Sequence, residues 1–69
     1  MTYNQICAKI GSDTLKYANL DGMSLAGAKL EGADLEGTYL KGANLTGANL
    51  TGANLKDANL IGVNLSWAN

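Results

Sequence analysis

Leucine returns at every fifth position of this chain, at 15, 20, 25, 30, 35, 40, 45, 50, 55, 60 and 65, without a break. Two residues before each leucine stands a small one, Ala18, Ala28, Ala33, Ala43, Ala48, Ala53 or Ala58, with Asp13, Met23, Thr38 and Val63 as the exceptions. The residue between is polar and most often asparagine, while the second residue after the leucine is glycine except at Tyr17, Asp57 and Trp67. A period of five matches neither the 3.6 of a helix nor the 2 of a plain strand. Within each word, though, the Ala and Leu positions lie two apart and point to one side, as in a strand, and the polar residue between them points to the other. The following Leu-x-Gly-Ala fits a type II turn, whose third residue needs a positive φ and so favours glycine. Each word is thus a three-residue strand and a corner. Strands that keep turning the same way wind into a coil with leucine inside, and stacked rungs can pair their backbones about 4.8 Å apart. Such a chain needs no large globular core, because every rung is covered by its neighbours.

The words "ADLEG", "ANLTG", "ANLKD" and "YANLDG" follow the pattern A-[ND]-L-x-x, which resembles the pentapeptide-repeat family over residues 13–69. The resemblance implies an all-β fold, a right-handed quadrilateral parallel β-helix with four words to a coil and under three coils in this chain. Four words place residues about 20 apart in line, so the inward leucines form the columns 15/35/55, 20/40/60, 25/45/65 and 30/50. These eleven leucines, Leu15, Leu20, Leu25, Leu30, Leu35, Leu40, Leu45, Leu50, Leu55, Leu60 and Leu65, are the expected structural core. Met23, Ala43 and Val63 share a second inward column, and Thr38 sits between Ala18 and Ala58, where its hydroxyl must find a carbonyl or a water.

Residues 1–12 stand outside the repeat. In "TYNQICAKIGS", Thr2 and Gln5 fit a capping box, Tyr3, Ile6, Cys7 and Ile10 share one helical face, and Gly11 suits a C-terminal cap. The pattern predicts a short helix over residues 3–10 lying on the first coil. Cys7 then reads as a small apolar residue packed beneath it rather than a reactive thiol. At the other end the last word breaks off at "SWAN" with nothing helical after it. Either the chain is a piece of a longer repeat protein or another molecule covers Leu60, Val63, Leu65 and Trp67. The expectation adopted is end-to-end association into a homo-oligomer through those four residues.

Composition narrows the chemistry. With no histidine, one cysteine and carboxylates spread round the coil, no acid–base pair, metal cluster or cofactor site is suggested, and the protein is not expected to be an enzyme. The glycines recur at corners and lead into no helix, so no phosphate loop is present in the pattern. A formal net charge of −1 supplies no field for nucleic acid or an anionic membrane. No apolar run is long enough for a membrane span, and the start lacks a secretory signal pattern, which points to the cytoplasm. The asparagines read as turn formers, since short amides bond locally to the backbone and consecutive ones fall on different sides of the coil.

Function is therefore sought in the outward letters. Lys16, Glu36 and Lys56 stack as alternating charges, and Asp34 and Glu36 read as a solvated surface. Tyr39 and Ile61, with Lys41 beside them, are the outward residues expected to meet a protein partner of unknown identity. The resemblance implies a second function, because some family members mimic DNA and inhibit or protect type II topoisomerases. Those are long, strongly acidic, dimeric rods, whereas this chain has 6 acids against 5 bases. Ice binding by a threonine face is disfavoured, since Thr46 and Thr51 fall on adjacent sides. A non-enzymatic structural or protein-interaction module is the reading the residues favour.

Overall fold

The computed structural model describes residues 1–69 and shows a body of 27 × 20 × 20 Å. Parallel bridges join Asn19 to Tyr39, Ser24 to Asn44, Lys29 to Asn49, Asp34 to Asn54, Tyr39 to Asn59 and Asn44 to Asn64, always 20 residues apart. One turn of the coil therefore takes four words. The register has a simple cause: each five-residue word makes one corner, and four corners bring the chain back above its start.

Every leucine opens a turn of the same kind. Its carbonyl accepts from the amide three residues on, as in Ala18 N–H to Leu15 O (3.0 Å) and Ala43 N–H to Leu40 O (2.9 Å). The glycine at the third turn position has φ between 65° and 71°, the left-handed region a type II turn requires. Tyr17, Asp57 and Trp67 adopt the same conformation, with φ of 61°, 60° and 62°, at a cost of about 1–2 kcal/mol each for a residue bearing a Cβ.

The extended part of the word is shorter than its alternation suggests. Only the residue between Ala and Leu forms a bridge, because the turn occupies the remaining positions and leaves no run long enough for a continuous strand. Pairing between rungs is nevertheless dense. Leu40 N–H donates to Asn59 O (3.0 Å), Gly42 N–H to Ile61 O (2.9 Å) and Asn59 N–H to Thr38 O (2.9 Å), and this threefold pattern repeats from word to word. Each rung is thus tied to the next through amides two and three residues apart, a ladder that a chain of single bridges can sustain.

Residues Tyr3–Ile10 form the helix α1. Thr2 is its N-cap: the hydroxyl accepts from Gln5 N–H (3.2 Å), and Gln5 Oε1 accepts in return from Thr2 N–H (2.9 Å). Gly11, with φ 71°, closes the other end and its N–H reaches Cys7 O. Ile6 and Cys7 are buried against the leucine core, with Tyr3 and Ile10 half-buried beside them. The Tyr3 hydroxyl accepts from Leu15 N–H (2.9 Å), so the helix also satisfies an amide of the first rung. Just before α1, Met1 O accepts from Lys29 N–H (2.7 Å) and Thr2 bridges to Lys29 in parallel. The first two residues thereby add a fragment of rung to one side of the coil.

The core itself is graded. Leu15, Leu20, Leu25, Leu30, Leu35, Leu40 and Leu45 are buried, as are Ala28, Ala33, Ala43 and Ala48. Leu50 and Leu55 are half-buried. Leu60 and Leu65 occupy the same inward position but are 37% and 44% exposed, so they fall outside the buried core expected of all eleven leucines and lie open as an uncovered last rung would leave them. Their word is intact; what they lack is a rung packed over them. Thr38 is wholly buried and donates its hydroxyl to Leu35 O (2.9 Å), which removes the cost of an unpaired buried oxygen.

Candidate interaction surface

The polar letter of the word serves the backbone. Asn44 Oδ1 accepts from Thr46 N–H (3.0 Å), Asn49 Oδ1 from Thr51 N–H (3.0 Å), Asn54 Oδ1 from Lys56 N–H (3.0 Å) and Asn59 Oδ1 from Ile61 N–H (3.1 Å). Asp34 does the same for Glu36 N–H (3.1 Å) and also accepts from Asn54 Nδ2 (3.4 Å). These side chains cap the amide that starts their own corner, as short amides and carboxylates do in turns. The Thr46 and Thr51 hydroxyls donate to the same asparagine oxygens, so they too are engaged within the word.

Ser24, Lys29 and Tyr39 break this rule, and at Tyr39 the structure compensates. With no side-chain acceptor at position 39, Lys41 N–H is taken instead by Asp21 Oδ1 of the neighbouring rung (2.9 Å). Tyr39 is thereby released from turn duty and its side chain stands 55% exposed. Ile61 is 68% exposed, and Lys41 is exposed between them on the same side of the coil. The structure therefore brings the three together on the side built over Leu20, Leu40 and Leu60.

A fourth residue joins them. Tyr17, 63% exposed, sits at the corner where this side begins. Its ring lies across Gly37 so closely that a Cβ on Gly37 would collide with it. Tyr17, Tyr39 and Ile61 are each 22 residues apart (39 − 17 and 61 − 39), one 20-residue turn plus two residues along the strand. At about 4.8 Å per rung and about 3.3 Å per residue, they cross the side as a diagonal with steps of about 8 Å. The sequence does signal Tyr17, as the first corner that lacks glycine, but its place beside Tyr39 depends on the 20-residue register.

Charge around the diagonal is sparse. Lys16 Nζ lies 3.6 Å from Glu36 Oε1 and 5.4 Å from the centre of the Tyr17 ring. Glu36 first, then Tyr17 and Asp34, hold the Lys16 ammonium above its ordinary pKa. The Tyr17 hydroxyl donates to Glu36 Oε2 at 3.5 Å, a long contact. Of the expected alternating ladder, this one pair forms, on an exposed surface where such pairs contribute little.

The four residues expected at an end-to-end interface all fall on the rung formed by the final words, Leu60, Val63 and Leu65 at inward positions and Trp67 at a corner. Leu60 and Leu65 are partly exposed, Val63 is half-buried, and Trp67 is 90% exposed. Neither the structure nor its side chains form a cavity, and no group of three or more metal-ligating side chains gathers anywhere. No helix is long and apolar enough to cross a membrane.

No curated protein matches the chain. Among solved structures it is similar to a pentapeptide repeat protein from the cyanobacterium Cyanothece 51142, with 39% sequence identity and a TM-score of 0.41. That similarity covers 81% of this chain and 40% of the other, so the chain spans well under half the length of that relative. The pentapeptide-repeats family matches residues 14–42 and 38–69, in 8 copies. Pentapeptide repeat proteins form right-handed quadrilateral β-helices, a structural repeat fold that indicates no catalytic family. The spacing of the leucines, the glycine corners and the family match agree, and the chain belongs to the pentapeptide-repeat family.

Proposed function

We propose that this chain is a non-enzymatic structural and protein-interaction module, a rigid β-helical scaffold that presents outward side chains to a protein partner. The observation that carries the reading is the division of labour within the word. Leu and Ala pack inward, Gly turns the corner and Asn caps it, while Tyr39, Lys41 and Ile61 stand exposed with no such duty. Tyr17 extends the same surface. In this reading the coil is right-handed and four-sided with a little under three turns, the protein is cytoplasmic, and neither nucleic acid, membrane nor cofactor takes part.

A photoreactive residue placed at Tyr39, and separately at Asn49 on another side, tests the surface in cell extract. The reading expects one protein to be labelled from position 39 and not from 49, and the label to vanish with Ile61→Asp while the melting temperature holds. Equal labelling from both positions, or labelling that survives Ile61→Asp, would overturn it. Inhibition of gyrase supercoiling at micromolar protein would favour topoisomerase binding instead.

The proposal includes a second contact, between copies, through Leu60, Val63, Leu65 and Trp67. It is supported by the exposed apolar groups of that rung and by the amides of Leu55, Leu60 and Leu65, which have no partner where the equivalent amides of Leu35, Leu40 and Leu45 do. Sedimentation over a range of concentrations should show mass rising with concentration, and Leu65→Glu should abolish the rise. A monomeric mass at the highest concentration contradicts it.

A further inference from the structure

We draw no further inference here: the strongest candidate, the diagonal patch of Tyr17, Tyr39 and Ile61 across one side of the coil, belongs to the surface already proposed for a partner, and nothing in the structure shows what covers it.

Discussion

Leu20, Leu40 and Leu60 stand in one column of the coil and in nearly the same word, yet the first two are 1% exposed and the third 37%. Leu20 is bonded to the next rung and belongs to the buried cluster that α1 joins through Ile6 and Cys7, and Leu40 lies between two rungs. Leu60 has a rung on one side alone. The same contrast separates Leu25 and Leu45, both buried, from Leu65. A word of this kind therefore carries no core of its own. Its leucine contributes what its neighbours allow, which is the behaviour of a nearly one-dimensional assembly. The contrast also explains why so small a chain can do without a globular interior. Burial is assembled rung by rung, and the front rung is finished by a helix whose Ile6 and Cys7 fill the place a preceding rung would take.

The largest effect should come from breaking the contrast at its buried member. Leu40→Ala is expected to cost about 2–5 kcal/mol, the range for a buried leucine truncated in a packed core. Leu60→Ala should cost under about 1 kcal/mol, and urea unfolding of both variants measures the difference. Next comes Gly37→Ala. It places a Cβ in the left-handed region and against the Tyr17 ring, with an expected loss of about 2–4 kcal/mol from strain and overpacking together. Adding Tyr17→Gly to that variant should remove the overpacking and also relieve the left-handed strain at position 17, so the contact is read from the full double-mutant cycle that includes Tyr17→Gly alone. Thr2→Ala removes the N-cap hydroxyl and should cost about 1 kcal/mol. Circular dichroism of the helical signal in a melting experiment would show whether α1 frays before the coil. The smallest effect is expected at the surface: Tyr39→Ala should change stability by no more than about 0.5 kcal/mol, because the side chain has no packing or capping role. A larger loss by thermal unfolding would mean that the outward letters help to hold the rungs.

Much of this fold could be read from local chemistry. The capping box of Thr2 and Gln5, the helix end at Gly11 and the type II corners each depend on residues within four positions, and the residues for them are visible in the chain. Thr38 was likewise legible, since a hydroxyl at an inward position must find an acceptor and the nearest is the turn carbonyl of Leu35. What could not be read depends on residues 20 or more apart. Nothing in "MTY" announces that Met1 O would take the Lys29 amide. Asp21 gives no sign that its carboxylate serves Lys41 in place of the missing amide at Tyr39. Reading Tyr17 as an irregular corner was possible, but its ring over Gly37 and its place beside Tyr39 required the register. The exposure of Leu60 and Leu65 was anticipated at the end that no helix covers, whereas the half-burial of Leu50 and Leu55 was not, since the letters of a word say nothing about what lies above it. Of the candidate surface, Tyr39, Lys41 and Ile61 were legible as outward letters, and their release from turn duty was not.

Amide hydrogen exchange in dilute protein, where copies are apart, compares the column most directly. The Leu20 and Leu40 amides donate to Tyr39 O and Asn59 O, whereas the Leu60 amide has no acceptor. If stability is assembled from rung-to-rung contact, Leu40 should exchange only through global unfolding and Leu60 faster by orders of magnitude. Equal protection of Leu40 and Leu60 would contradict it.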